Sequence, residues 1–104
     1  MLAQFSIVPL GVGESVSKYV ASVIKEVEKS GLEYRLTAMA TIVEGPPEQV
    51  FALIQKCHQK VRRLAPRVIT TIIIDDRKGA KNRLEGKIQS VEKKLKKSVK
   101  KYSS

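Results

Sequence analysis

The residues from Arg67 to Arg77, RVITTIIIDDR, carry the strongest structural signal in the chain. Every residue from Val68 to Ile74 is β-branched, five as aliphatics and two as threonines, and such side chains favour the extended backbone of a strand. Because alternate residues of a strand point to opposite faces, aliphatic side chains lie on both sides of this one. The pattern is typical of a strand covered on both faces, and it predicts a central strand of a sheet.

The length and composition of the chain limit what can surround this strand. The 104 residues are 42% hydrophobic and 29% charged, which favours a single domain over residues 1–104 with a core in residues 1–80. No apolar stretch is long enough to cross a membrane, and the first residues do not resemble a signal peptide. Cys57 is the only cysteine, so we expect a cytoplasmic protein without an internal disulfide.

The positive charge is concentrated at the C-terminal end. The formal net charge is +10, and residues 77–104 hold eleven Lys and Arg against two Asp and Glu, a net of +9. Aliphatic residues at steps of three and four predict an amphipathic helix within residues 81–104, with its lysines on the opposite side. This basic C-terminal helix could bind nucleic acid or an acidic partner. A solvated helix face is favoured, because Tyr102 is the only aromatic residue there that could stack on bases.

Strand patterns occur in two further stretches. Leu2 to Leu10 places Ala3, Phe5 and Ile7 on one side, which predicts a strand with one apolar face. Leu32 to Val43 predicts two short strands separated by a break at Ala38-Met39-Ala40.

Helix patterns fill the intervals between these strands. The first predicted helix can be capped by Ser15 or Ser17 and ends at Gly31, and the second begins at Pro46-Pro47 and ends before Pro66. Their predicted buried stripes are Val16, Tyr19, Val20, Val23, Ile24 and Val27 in the first, and Val50, Phe51, Ile54, Cys57, Val61 and Leu64 in the second.

The order of these elements predicts an α+β fold. Strand, helix, strand, strand, helix, strand is the ferredoxin-like βαββαβ order, with a four-stranded antiparallel sheet, two helices on one face and here an extra C-terminal helix. The other face of the sheet stays open. Because the Arg67 strand carries isoleucines on both faces, we expect a homo-oligomer, a dimer or tetramer, whose subunits bury this open face. The C-terminal helix is the alternative cover.

Three motifs resemble one known family. They are Val8-Pro9-Leu10-Gly11 followed by a Ser-Val-Ser helix start, Thr41-Ile42-Val43-Glu44-Gly45 before a helix, and Arg67-Val68 with Asp75 and Arg77. Together they resemble the thiamine-binding protein family, over residues 2 to about 80. The resemblance implies an oligomer of ferredoxin-like subunits that binds thiamine or its hydroxymethylpyrimidine half and catalyses no reaction. Ala40 stands where many relatives have glycine before the threonine.

Short polar side chains on the predicted sheet suggest where such a ligand binds. An aminopyrimidine has apolar ring faces, and its edge needs a few fixed hydrogen bonds, with a carboxylate able to accept from the amino group. The simpler interpretation is that the threonines reflect strand propensity and that the glutamate is an exposed turn residue. The candidate ligand-binding residues are Gln4, Ser6, Thr37, Thr41, Glu44 and Thr71, with Thr70 as the alternative to Thr71.

Catalytic and metal-binding patterns are weaker. Cys57 and His58 are neighbours on a predicted helix and point about 100° apart, so they cannot form a nucleophile–base pair. Asp75 and Asp76 point to opposite faces of a strand, which disfavours a metal site. An acylphosphatase-like phosphate loop is disfavoured too, because Glu14 follows Gly11-Val12-Gly13. We therefore expect no catalytic residues, no cofactor and no metal.

Overall fold

The computed structural model describes residues 1–13, residues 16–79 and Leu84, and within these it has the predicted βαββαβ order. Its strands and helices are β1 (Leu2–Leu10), α1 (Ser17–Ser30), β2 (Glu33–Leu36), β3 (Thr41–Glu44), α2 (Pro47–Arg62) and β4 (Arg67–Asp75). The strands form one antiparallel sheet in the order β2-β3-β1-β4. This is the ferredoxin-like arrangement that the sequence predicts.

The register of the sheet separates its two faces. Phe5 pairs with Thr41 on one side and with Ile72 on the other, and cross-strand partners share a face. Phe5 belongs to the core with residues of both helices, so the odd-numbered residues of β1 face the helices and the even-numbered ones face the open side. The core cluster comprises Ala3, Phe5, Tyr19, Val23, Val27, Val43, Val50, Leu53, Ile54, Cys57 and Val61.

The prediction that the Arg67 strand is central is wrong. β4 lies at the edge of the sheet and pairs with β1 alone among the described strands. Its aliphatic residues on two faces are not covered on both sides, since Ile69, Ile72, Ile73 and Ile74 are each between 41% and 59% exposed. The central strand is instead β1, which lies between β3 and β4.

The two helices follow their predicted stripes in part. In α1, Tyr19, Val23 and Val27 are buried, but Val16 and Val20 are not. Val16 occupies the N-cap position without a side-chain capping bond, so the prediction that Ser17 caps the helix is wrong, and Ser15 lies outside the described residues.

The second helix begins with Pro47 in its first turn, as the sequence predicts. Phe51 and Leu64 are exposed, contrary to their predicted place in the stripe, whereas Leu53 is buried instead. A helix over a narrow sheet buries only the residues directly above the strands, so the margins of an apolar stripe stay accessible.

The predicted C-terminal helix lies outside the described residues, apart from Leu84. Leu84 is helical and buried, and its backbone N–H donates to Glu44 Oε1 over 3.3 Å. No described helix is both long and apolar enough to span a membrane.

Candidate ligand-binding site

A cleft of about 380 Å³ lies where α1, β1 and the β2–β3 hairpin meet. Its size is within the usual range for small-molecule sites. Three segments form it: the second half of β1, the first half of α1 and the hairpin. The lining residues are Phe5, Ser6, Ile7, Val8, Val16, Tyr19, Val20, Val23, Leu36, Thr37, Ala38, Met39, Ala40 and Thr41.

The cleft exists because β3 is shorter than β1. Pairing between these strands stops at Phe5 and Thr41, whereas β1 continues to Leu10 along β4. In a strand, the N–H and C=O groups of alternate residues point to opposite edges. Alternate residues within 6–10 therefore direct their backbone groups toward the cleft, where β3 would otherwise continue. One side of the cleft is thus a strand edge that can donate and accept hydrogen bonds.

The other sides of the cleft are apolar. Val16 and Val20 of α1 are 41% and 42% exposed, and with Leu36 they give the cleft aliphatic surface that the core does not use. None of the described lining residues has a charged side chain. The lining therefore suits a flat, uncharged group that has apolar faces and a polar edge.

Thr37 holds the hairpin over the cleft. Its Oγ1 donates to the carbonyl of Ala40 over 2.8 Å and accepts from the backbone N–H groups of Ala40 and Met39, at 3.0 and 3.2 Å. The Thr37 N–H also donates to the Ala40 carbonyl, at 2.9 Å. Such side-chain bonds to nearby backbone stabilise tight turns. Thr37 thus fixes the turn that brings Leu36 and Ala38 to the cleft.

The candidate residues from the sequence fall into two groups. Ser6, Thr37 and Thr41 line the cleft, and Thr41 is buried on the helix side of the sheet. Gln4, Glu44 and Thr71 are not among its described lining residues, and the register places them on the open face of the sheet. Gln4 pairs with Ile42 and Ile73, Glu44 with Leu2, and Thr71 with Ser6.

Glu44 has a structural contact in this arrangement. Its carboxylate accepts the hydrogen bond from the Leu84 N–H and makes a further interaction within the chain. The structure therefore places the candidate carboxylate beside Leu84, at the end of β3 that is remote from the tip of the hairpin.

The sequence interpretation did not single out the apolar walls as part of a site. Val16 and Val20 were assigned to the core because they continue the stripe of α1. Leu36 belongs there to a predicted strand and Met39 to the predicted break, and neither is among the predicted ligand-binding residues, although Met39 is 86% exposed at the tip of the hairpin. The available signal was the break after Leu36, which shortens β3 and so opens the cleft beside β1.

The remaining reactive side chains have structural partners. Cys57 is fully buried, and burial, with a smaller contribution from the nearby Glu26 charge, raises its pKa to about 11, so the thiol stays protonated. His58 Nδ1 lies 2.6 Å from Thr70 Oγ1, which joins α2 to β4. The described residues contain no group of three or more His, Cys, Asp or Glu that could hold a metal ion.

A second cleft, of about 350 Å³, lies between the two helices. Its carboxylate, Glu26, accepts a hydrogen bond from Lys60 over 3.0 Å and lies 3.8 Å from Lys29. The hydrogen bond from Lys60 is the main reason that the pKa of Glu26 is lowered. These contacts are ion pairs at a helix–helix boundary.

Comparison with known proteins places the chain in a family. Residues 3–92 match the family model described as thiamine-binding protein. The chain belongs to the thiamine-binding protein family. The match extends from β1 past β4, so it includes every segment that forms the cleft.

Relatives of the family occur in distant organisms. The protein YqgV of Bacillus subtilis is 42% identical over 100 residues, covering 90% of this chain and 96% of YqgV. The protein MJ1052 of Methanocaldococcus jannaschii is 35% identical over 91 residues, covering 88% of this chain and 91% of MJ1052.

Solved structures of the family share the fold. The crystal structure of MJ1052 superposes with a TM-score of 0.81 at 36% identity, over 86% of this chain and 93% of that one. A Thermotoga maritima protein, TM0486, described as a candidate thiamine biosynthesis or salvage protein, superposes with a TM-score of 0.76 over 86% of this chain and 96% of its own. At 19% identity the latter likeness concerns the fold alone.

Proposed function

We propose that this protein binds thiamine, or its hydroxymethylpyrimidine half, in the cleft between α1, β1 and the β2–β3 hairpin, without catalysing a reaction. The observation that carries the proposal is a cleft whose described lining residues are uncharged, with apolar walls and one polar strand edge, in a member of the thiamine-binding protein family. The description of TM0486 as a candidate thiamine biosynthesis or salvage protein agrees with this ligand class.

The chemistry of an aminopyrimidine matches this lining. Its ring faces are apolar and would pack on Val16, Val20 and Leu36. Its ring nitrogens and amino group would hydrogen-bond to the backbone groups along the strand edge of residues 6–10, which includes Ser6. Thr41 adds a hydroxyl on the buried side, and Thr37 positions the hairpin.

The three candidate residues on the open face of the sheet have no contact with the ligand in this proposal. Gln4, Glu44 and Thr71 lie on the open face of the sheet, on three different strands, and are not among the described residues that line the cleft. In the proposed complex they do not contact the pyrimidine ring, and Glu44 keeps its bond with Leu84.

Calorimetry with matched variants tests the site. Val20→Glu places a carboxylate on the apolar wall and is expected to weaken binding of thiamine and hydroxymethylpyrimidine by at least about tenfold, because a charge must lose water beside the ligand. Ala21→Glu makes the same chemical change at the next exposed helix position, which is not part of the lining. Equal affinity in both variants would place the site elsewhere. If ligand-free protein gives no heat with either compound at millimolar concentration, the proposed function is wrong.

We also propose that the protein is a cytoplasmic single-domain homo-oligomer that buries part of the open face of its sheet. Val8, Ile69 and Ile73 leave aliphatic surface on that face, and such patches usually mark interfaces. Gln4→Lys places a charge on that face, whereas Gln55→Lys makes the same change at an exposed position of α2. Sedimentation equilibrium should show weaker association for the first variant only. A wild-type species of 11.6 kDa with no heavier component would contradict this proposal.

A further inference from the structure

Two hydroxyl groups of the cleft differ from the third, that of Thr37. Tyr19 and Thr41 are only 3% and 6% exposed, and both residues line the cleft. The Thr37 hydroxyl forms the hydrogen bonds of the hairpin, whereas neither Tyr19 nor Thr41 forms a side-chain hydrogen bond within the described part of the chain. Polar groups of buried residues normally have hydrogen-bond partners, so both hydroxyls require an explanation.

The Tyr19 hydroxyl is open to the cleft. Among the described residues, no polar side-chain atom that is shut off from solvent lacks a hydrogen-bond partner. The Tyr19 hydroxyl has no partner there, so it reaches open space although the residue as a whole is buried. Tyr19 lies on the same face of α1 as Val16 and Val20, and the cleft is the open space that all three residues line. The hydroxyl is thus a polar group on an otherwise apolar helix wall.

Packing holds the Tyr19 ring in place. The ring belongs to the core cluster, together with Val23 of α1 and Phe5 of β1. Nζ of Lys18 lies 5.1 Å from the centroid of the ring, within the range of a cation–π contact. A ring that is fixed by its neighbours has few alternative orientations, so the position of its hydroxyl is set before a ligand binds.

An aminopyrimidine has one donor that the strand edge does not satisfy. Its amino group has two N–H bonds, and the one beside a ring nitrogen forms a donor–acceptor pair that matches the backbone groups along residues 6–10. The second N–H points away from that nitrogen and needs an acceptor elsewhere, because a buried donor without a partner weakens binding. The carboxylate that the sequence suggests for this role, Glu44, is not among the described lining residues.

We propose that the Tyr19 hydroxyl accepts a hydrogen bond from the amino group of the ligand, and that the cleft thereby selects aminopyrimidines over pyrimidines without an amino group. This inference rests on the proposed function of the cleft. Tyr19 stands on the helix wall, whereas Thr41 lies on the sheet as the register partner of Phe5. Tyr19 therefore meets the N–H that points away from the strand edge, and a residue that helical periodicity assigns to the core also determines specificity.

Calorimetry with a matched pair of variants tests this contact. Tyr19→Phe removes the hydroxyl and keeps the ring in the core, and it should weaken binding of hydroxymethylpyrimidine by about tenfold, the order expected for one buried hydrogen bond. Tyr34→Phe makes the same chemical change at a partly buried residue that packs against the core and is not among the described lining residues. It should leave the affinity unchanged.

A ligand analogue separates recognition from a structural role of Tyr19. In this analogue a methyl group replaces the amino group, so the shape is kept and the donor is lost. The wild type should bind the analogue at least about tenfold more weakly than hydroxymethylpyrimidine. Tyr19→Phe should bind the analogue as well as the wild type does, because the hydroxyl then has no partner to lose. Altered packing of the ring would instead weaken binding of both compounds alike.

The possible failures of this inference differ from failure of the proposed function. If the wild type binds and Tyr19→Phe binds hydroxymethylpyrimidine as tightly as Tyr34→Phe does, the hydroxyl makes no contact and only the inference is wrong. An equal loss for both compounds in Tyr19→Phe would assign the residue a structural role. Loss of the preference for the amino group in Thr41→Val, but not in Tyr19→Phe, would assign the contact to Thr41. Absence of binding by the wild type would contradict the proposed function and this inference together.

Discussion

Two unpaired stretches of strand edge among the described residues, one in β1 and one in β4, differ in their surroundings. In β1 the unpaired stretch is residues 6–10, where β3 has ended and where α1 and the hairpin enclose the space. In β4 the outer edge is nine residues long and has no enclosing element among the described residues. An enclosed edge of about five residues has room for a small molecule, whereas a long open edge has room for a strand. The same backbone chemistry thus has different surroundings at two places within one sheet.

The largest effect is expected from removing the side chain that supports both edges. Phe5 is 2% exposed, lies in the central strand and also lines the cleft. Phe5→Ala should lower the free energy of unfolding by about 3–5 kcal/mol, because it leaves a large cavity in the core. Urea denaturation monitored by circular dichroism measures this change. Ile73→Ala removes an exposed side chain from β4 alone and should cost less than about 1 kcal/mol; an equal loss in both variants would contradict the placement of Phe5 in the core.

The hydrogen bonds of Thr37 belong to the hairpin at the enclosed edge of β1 and not to the open edge of β4. Substitutions of Thr37 therefore distinguish the two edges. Thr37→Val keeps the shape of the side chain but removes the hydroxyl, so three hydrogen bonds of the turn are lost. We expect a loss of about 1–3 kcal/mol in the free energy of unfolding and weaker ligand binding. The proposed self-association through the open face of the sheet should not change. Thr37→Ser retains the hydroxyl and should restore most of both quantities, so similar behaviour of the Val and Ser variants would show that the hydroxyl does not hold the turn.

The difference between these two edges was only partly predictable from the sequence. The alternation in Leu2–Leu10 predicts the buried face of β1, and the break at residues 38–40 separates β2 from β3. The prediction that β4 is central is wrong because aliphatic residues on both faces do not distinguish a central strand from an edge strand whose isoleucines are partly exposed. Val16 and Val20 were assigned to the core because helical periodicity identifies a stripe but not which part of it the sheet reaches. The contact between Leu84 and Glu44 joins residues 40 positions apart, and no local pattern predicts it.

The pH dependence of the free energy of unfolding tests whether the Cys57 thiol, in the core between the two edges, is closed to water. The pKa of Cys57 is raised from 9.0 to about 11 by burial in the folded chain. In this range the unfolded chain loses the thiol proton while the folded chain keeps it, so the stability of the folded state falls as the pH rises from about 9 to about 11. Below about pH 9 the thiol is protonated in both states and contributes no pH dependence. Urea denaturation across this range should show a steeper loss for the wild type than for Cys57→Ala, by up to about 2 kcal/mol. Parallel pH curves for the two proteins would show that the thiol is accessible to water.

The smallest expected effect is the difference in affinity between thiamine diphosphate and thiamine, which tests the charge of the enclosed edge most directly. The described residues lining the cleft include no lysine or arginine, the side chains that most often pair with phosphate groups in proteins. If the cleft holds the pyrimidine ring, then thiamine diphosphate should bind no more than about threefold more tightly than thiamine, a difference below about 1 kcal/mol. Titrations of both compounds at two salt concentrations measure this ratio, and binding of either should depend little on salt because no charged side chain of the lining takes part. A diphosphate preference of a hundredfold that disappears at high salt would mean that cations outside the cleft hold the ligand. In that case the ligand would not be recognised by the apolar walls, and the assignment of the enclosed edge as the recognition element would be wrong.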